Sequence, residues 1–171
     1  NSLGVIYIAY SLGVPLEEIK SRLDKFKGAK RRYEILLDKG RRIIDDYAHH
    51  PTEIRATLEG AKRIEKKKIT AIFQPHRYSR VNFLYEEFKG CFDLADEVVL
   101  LPIYSAGEED IYGNTLEKFG RDIYTTGRTK LLKTMEEVLD VVKLEERTYI
   151  FMGAGTISQM AYEIVGKLEE K

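Results

Sequence analysis

From Pro51 onward the sequence alternates segments of helical periodicity with short apolar runs. We expect helices over roughly 51–65 and 80–94, strands over 69–73 and 97–101, and a short helix after Gly113. Capping-box patterns that begin at Thr134 and Thr156 predict two later helices, and the run 148–152 between them predicts a buried strand. This alternation is typical of βαβ units, so we expect an α/β fold with a mostly parallel sheet flanked by helices.

The first fifty residues follow a different pattern. A first helix is indicated by apolar residues at helical spacing, namely Leu3, Ile6, Tyr7 and Tyr10. A second helix is predicted to start near Pro15 and to end at Gly28. Two strand-like runs, 33–37 and 41–44, flank Asp38-Lys39-Gly40, which predicts an early β-hairpin. We therefore expect a domain boundary near residues 26–31.

Composition limits the classes of partner. Lys plus Arg and Asp plus Glu number 28 each, so no overall field favours nucleic acid or an anionic membrane surface. The single cysteine, Cys91, excludes an internal disulfide framework and fits a reducing cytoplasm. No run of about 18 apolar residues predicts a membrane-spanning helix. The missing initiator Met and the immediate helical periodicity lead us to expect a fragment of a longer polypeptide.

Two polar runs, 45–51 and 74–80, contain all three histidines of the chain and lie at the ends of predicted strands. Ligands of open α/β sheets bind outside the carboxyl ends of the strands, so these runs predict one shared small-molecule pocket. Arg77 and Arg80 are three residues apart at the start of a predicted helix, where they would share one face with outward-pointing N–H groups. That arrangement suits a carboxylate or a phosphate, and the alternative is a pair of solvated surface arginines.

Other motifs allow simpler interpretations. His49 and His50 are adjacent and lack helical ligand spacing, so a metal site is not predicted. Asp46 could accept from ribose hydroxyls or could cap the helix that Pro51 opens. The glycine-rich run 153–155 is better explained as a tight strand-to-helix turn than as a nucleotide-phosphate turn, and no Gly-x-x-x-x-Gly-Lys-Ser/Thr loop is present. An oxidoreductase domain would depend on this run alone, and a non-catalytic carboxylate-binding module remains an alternative.

Much of the chain resembles the Mur ligase family, most closely the members that act on L-alanine. The similar runs are 26–32, 45–53, 73–80, 104–108 and 153–157. Family members that recycle a tripeptide share a segment like 45–53 but differ at 74–80, so they are the alternative within the family.

The resemblance implies a three-domain enzyme that joins L-alanine to UDP-N-acetylmuramate in peptidoglycan precursor synthesis, through an acyl phosphate made from ATP. Residues 1–27 would be the helical end of the central ATPase domain, and 28–171 would be the Rossmann-like C-terminal ligase domain. ATP and Mg²⁺ would be bound mainly by the absent central domain, so the isolated chain should be inactive. Its exposed first helix could lead it to self-associate.

The resemblance also implies roles for individual residues. Arg77 and Arg80 would bind the alanine carboxylate. The pocket near the amine would be lined by Tyr47, His49 and His76. The nucleotide side of the interdomain cleft would be formed by Asn1, Arg32 and Asp46. No residue is assigned as the catalytic acid or base.

Overall fold

The computed structural model describes residues 2–26, 28–113, 115–127 and 129–170. Six strands form one sheet in the order β1-β2-β6-β3-β4-β5. Their bounds are β1 Glu34–Lys39, β2 Arg41–Asp46, β3 Ile69–Phe73, β4 Glu97–Leu100, β5 Thr129–Leu131 and β6 Thr148–Met152. Only β1 runs antiparallel, as the outer strand of the hairpin with β2. The expected α/β fold with a mostly parallel sheet is therefore confirmed.

Eight helices accompany the strands within the described residues. They are α1 Ser2–Ser11, α2 Leu16–Asp24, α3 Pro51–Ile64, α4 Tyr78–Phe83, α5 Tyr85–Phe88, α6 Leu116–Ile123, α7 Met135–Leu144 and α8 Ile157–Glu169. None of them is both long and apolar enough to cross a membrane.

The sheet is covered on both faces because alternate strand residues enter two separate cores. On β3, Ile69, Ala71 and Phe73 pack beneath α3 to α6. Ile72 points the other way, into the core beneath α7 and α8. Burial on both faces explains why β3 and β6 are mostly apolar along their whole length and do not alternate with exposed polar residues.

The order in which the strands and helices are connected determines where the site lies. Helices that follow β2, β3 and β4 cover one face, whereas those that follow β5 and β6 cover the other. The last strand, β6, lies between β2 and β3. Neighbouring strands whose following helices cover opposite faces leave a crevice at their carboxyl ends. The crevice here is bordered by the loops after β2, β3 and β6.

Four local predictions were wrong. The second helix, expected to end at Gly28, ends at Asp24. The helix expected over 80–94 is two short helices that break at Leu84, whose backbone has φ −103° and ψ 14°. The edge strand β5 was not expected, because three residues with mixed burial carry little periodicity. Thr156 does not form a capping box: its hydroxyl donates to Gln74 Oε1 over 3.4 Å, while Thr134 does form one with Glu137.

The first helix differs from all the others in its packing. None of the residues of α1 is buried, and Leu3 and Tyr7 are 80% and 72% exposed. Apolar side chains surround the helix on all sides, whereas a single apolar face was expected. Gly13, with φ 85°, supplies the left-handed residue just after its end.

Candidate functional site

The crevice is shaped first by the turn after β6. Gly153 has a φ of 152°, and a Cβ there would lie 2.8 Å from the carbonyl oxygen of Gln74. A Cβ on Gly155 would lie 2.6 Å from Gln74 Oε1 and 2.8 Å from Tyr104 Cγ. The glycines therefore let the β6 turn approach the β3 loop closely, in agreement with the tight-turn interpretation.

Buried Gln74 joins the same two loops through its side chain. Its Oε1 accepts from the backbone N–H of Ile157 at 3.1 Å, at the start of α8. Its Nε2 donates to the hydroxyl of Thr156 at 3.2 Å. These bonds fix the floor of the crevice between β3 and β6.

Four aromatic rings from three loops form a row across the crevice. The rings of Tyr47 and His49 are 5.1 Å apart, and His49 lies 6.2 Å from His76. His76 stacks on Tyr104 with centroids 5.5 Å apart. The loops after β2, β3 and β4 thus each contribute to a single wall.

His49 and His50 have different tasks. His49 Nδ1 lies 2.9 Å from the carbonyl oxygen of Tyr47. A proton on Nδ1 donates to that oxygen and leaves Nε2 as an acceptor in the neutral ring. His50 caps α3 by accepting from the N–H of Thr52, while Glu53 accepts from the His50 N–H. The alternative that Asp46 caps this helix was therefore wrong.

Arg77 and Arg80 do not occupy one helical face. Arg77 precedes α4 with a φ of 69°, in the left-handed region, and its side chain is exposed. Arg80 lies within α4, and its Nη1 is buried with no hydrogen-bond partner among the described residues. A left-handed arginine and an unpaired buried guanidinium nitrogen both cost free energy in the protein alone. Such features are concentrated at ligand-binding sites, where a ligand can supply the missing contacts.

His76, like Arg80, has a buried nitrogen that lacks a hydrogen-bond partner in the part of the chain that the structure describes. Its Nδ1 is buried without a hydrogen-bond partner among the described residues. Burial, followed by the positive charge of Arg80, holds the pKa of His76 below its ordinary value of 6.5. The imidazole is therefore neutral near pH 7 and can accept a proton or a hydrogen bond.

The two aspartates at the end of β2 are engaged within the protein. Asp46 accepts from the backbone N–H groups of Tyr33 and Ala48, both at 2.8 Å. Asp45 is fully buried and accepts from the hydroxyl of Ser158. Burial raises the pKa of both carboxyl groups. Asp46 is 6% exposed, and its role toward ribose hydroxyls stays a prediction.

Arg31 and Arg32 extend the row of rings at its far end. The Arg31 guanidinium lies 4.8 Å from the centre of the Tyr47 ring, and that of Arg32 lies 5.7 Å from it. Arg31 also donates to the carbonyl oxygen of Gly153 at 2.6 Å, and its Nε is 3.4 Å from Asp45 Oδ2. Arg31 is thus built into the fold, whereas Arg32 is exposed.

Sequence reasoning named some of these residues and missed others. Tyr47, His49, His76, Arg77 and Arg80 lie together as expected, although their roles stay predictions. Asn1 lies outside the described residues. The missed contributors are Arg31, Gln74, Tyr104 and Glu108, all of which belong to runs that carried the family resemblance. Among the described residues, no three His, Cys, Asp or Glu side chains group as metal ligands would.

The chain is similar to known proteins over nearly its whole length. The UDP-N-acetylmuramate–L-alanine ligase of Fusobacterium nucleatum is 48% identical over 99% of this chain, which covers 39% of that protein. The ligase of the same name from Sulfurihydrogenibium sp. is 40% identical over 100% of this chain, and this chain covers 39% of that protein. The chain therefore spans about two fifths of the length of these relatives.

Solved structures show the same architecture. A crystal structure of UDP-N-acetylmuramate-alanine ligase from Thermotoga maritima matches with a TM-score of 0.77 at 30% identity, over 99% of this chain and 37% of that one. A murein peptide ligase from Psychrobacter arcticus shares the fold, with a TM-score of 0.59 at 23% identity, over 96% of this chain and 36% of that one.

The profile of one family, described as Mur ligase, glutamate ligase domain, matches residues 31–155. This range begins at Arg31 and includes all six strands, the row of rings, both pocket arginines and the glycine turn after β6. The chain therefore belongs to the Mur ligase family.

Proposed function

We propose that this chain is the amino-acid-binding domain of an ATP-dependent ligase that joins L-alanine to UDP-N-acetylmuramate. The observation that carries the proposal is that two buried nitrogens on the segment after β3, Arg80 Nη1 and His76 Nδ1, have no hydrogen-bond partner among the described residues, and that the charge of Arg80 acts on His76. An amino acid offers a carboxylate to the first and an amine to the second. The names of relatives that are 40–48% identical support alanine as that amino acid.

The charge distribution suits this assignment. Arg80 is positioned to bind the carboxylate through charge-assisted hydrogen bonds, and exposed Arg77 adds a second cation. Neutral His76, with His49 beside it, faces the amine and can accept its proton or orient its lone pair. The amine then attacks an acyl phosphate, forming the amide and releasing phosphate. We assign Arg32, whose guanidinium lies beside the Tyr47 ring, to the nucleotide side of the site.

Activation of the carboxylate belongs to another part of the enzyme. The sequence has no phosphate-binding loop, and the described side chains offer no acidic cluster for Mg²⁺. We therefore assign ATP and Mg²⁺ mainly to a preceding domain and derive no step from a metal held here. Such an enzyme would act in peptidoglycan precursor synthesis in the cytoplasm, where the free buried Cys91 stays reduced.

The test is a phosphate-release assay on the complete polypeptide that contains this chain. Activity should require ATP, UDP-N-acetylmuramate and L-alanine together, and the 171-residue chain alone should release no phosphate. Release that depends on a tripeptide instead of alanine would favour the recycling ligases. Alanine binding without any release by the complete polypeptide would favour a non-catalytic binding module.

A further inference from the structure

The loop after β4 runs across the start of α4 beside the proposed alanine pocket. We call residues 104–108 the strap. The N–H of Tyr104 donates to the carbonyl oxygen of Pro75, and its own carbonyl accepts from the N–H of Arg77, both at 2.8 Å. These bonds extend the pairing of β3 and β4 beyond the ends of both strands. One end of the strap is therefore part of the sheet.

The other end of the strap is fixed to the helix. Glu108 Oε2 accepts from the backbone N–H of Ser79 at 3.0 Å, and Oε1 accepts from the Ser79 hydroxyl at 2.7 Å. Ser79 lies in the first turn of α4, where N–H groups have no partner within the helix. Arg77, at the N-cap position, supplies no side-chain cap. Glu108 therefore supplies from a distant segment the cap that the local sequence lacks.

A tight turn in the strap brings the Glu108 carboxylate to Ser79. Ala106 and Gly107 have φ angles of 52° and 87°, and the N–H of Glu108 returns to the carbonyl oxygen of Ser105 at 3.1 Å. A left-handed alanine is unfavourable and persists only where surrounding contacts hold it. The two Ser79 bonds and the Tyr104 pairing are such contacts.

We propose that Glu108 is a positioning residue for amino-acid binding, which caps α4 and thereby holds Arg80 and Arg77 in their binding geometry. The inference rests on the proposed function, in which these two arginines bind the alanine carboxylate. Arg80 lies within the short α4, and its Nη1 is already buried, so a small shift of the helix start misdirects its guanidinium. Glu108 itself does not touch the substrate.

A direct charge effect on Arg77 is the competing explanation. Glu108 Oε1 is 3.7 Å from Arg77 Nη1, longer than a charge-assisted hydrogen bond. The shorter bonds are those to Ser79. Glutamine separates the two effects, because its oxygen can accept from the Ser79 N–H and its NH₂ can donate to the Ser79 hydroxyl without any negative charge.

The test uses Glu108→Ala and Glu108→Gln in the complete enzyme, with Glu109→Ala as the matched control for an exposed neighbouring carboxylate. Glu108→Ala should raise the KM for L-alanine about tenfold, with the KM for ATP and for UDP-N-acetylmuramate within about twofold of wild type. Glu108→Gln should stay within about threefold of wild type for alanine. Glu109→Ala should leave all three values unchanged.

Several results would overturn the inference. They are an unchanged alanine KM in Glu108→Ala, an equal rise for all three substrates, and a Glu108→Gln enzyme as impaired as Glu108→Ala. A Glu108→Gln enzyme as impaired as Glu108→Ala would indicate that the negative charge of Glu108, and not its cap of α4, supports alanine binding. If the wild-type enzyme does not need alanine, the proposed function fails, and this inference fails with it. If wild type needs alanine and Glu108→Ala behaves normally, only the positioning role is refuted.

Discussion

The imidazole of His76 stacks on the phenol ring of Tyr104, with centroids 5.5 Å apart and planes 22° from parallel. Because Tyr104 is paired to the backbone on both sides of His76, the ring plane is set by two adjacent loops rather than by one. One face of the imidazole is therefore covered by Tyr104 and closed to a ligand.

We predict that Arg80→Ala impairs alanine binding more than Arg77→Ala. Arg80 loses a charge-assisted bond worth about 1.5–3 kcal/mol, or about 10- to 150-fold in alanine KM. Arg77→Ala should raise the alanine KM less, because Arg77 is exposed. Arg77→Lys should recover part of the affinity lost in Arg77→Ala, because lysine keeps the charge but not the planar fork. Steady-state kinetics with Arg63→Ala as an exposed control would check this. Equal rises in KM for all three substrates would indicate a folding or domain-closure defect.

The acid limb of alanine-dependent kcat/KM should lie below pH 6.5. Burial, and to a lesser extent the charge of Arg80, lower the pKa of His76. The imidazole therefore becomes protonated, and stops being a proton acceptor, only at more acid pH. Removing the positive charge in Arg80→Met should raise the pKa of His76 and move the limb to higher pH, whereas Arg80→Lys should leave it in place. His76→Gln should abolish the limb. A limb that persists in His76→Gln would assign it to another group.

Gly153→Ala should destabilise the fold. Its φ of 152° is poorly accessible to alanine, and the added Cβ would lie 2.8 Å from the Gln74 backbone oxygen. We expect a loss of about 1–3 kcal/mol in the free energy of unfolding. Gly166→Ala is the matched control, since a Cβ in this part of α8 meets no atom within 4 Å. It should stabilise by about 0.5–1 kcal/mol. Urea denaturation of all three proteins would measure both changes.

The isolated 171-residue chain should self-associate through α1 as its concentration rises. The helix exposes a contiguous set of apolar side chains, and a second copy is the partner available in a pure sample. The double change Leu3→Lys and Tyr7→Lys should shift the chain toward monomer. Leu144→Lys, at a site that is 78% exposed on α7, is the control. Light scattering that finds a monomer at all concentrations would contradict this prediction.

The secondary structure could be predicted where a segment is long and periodic. The α3 helix has its first-turn proline and its apolar face in sequence, and β3 is a mostly apolar run between polar segments. The break at Leu84 and the edge strand β5 depend on tertiary packing, which no local pattern records. The apolar residues around α1 are, in contrast, readable from the sequence, since Val5 and Ile8 lie opposite the face that was expected.

The site was predictable only in part, for a physical reason. Polar runs after two strands are visible in the sequence, and parallel strands bring their carboxyl ends together. The backbone of Arg31, Arg77 and Ala106 is left-handed, with φ angles of 56°, 69° and 52°. Non-glycine residues give no signal for that conformation. The contacts that depend on it, including those of Glu108, could therefore be seen only in three dimensions.

The position of β6 has a consequence for how the domain is made. This strand arrives late in synthesis, yet β2 and β3 each pair with it and not with each other. A nascent chain that ends before Thr148 therefore holds two unpaired edges at its centre, which are open to wrong partners. Assembly must wait for contacts between residues more than 70 positions apart, such as Ile69 with Thr148, and such distant closure slows folding. The ligand crevice is thus among the last features of the domain to form.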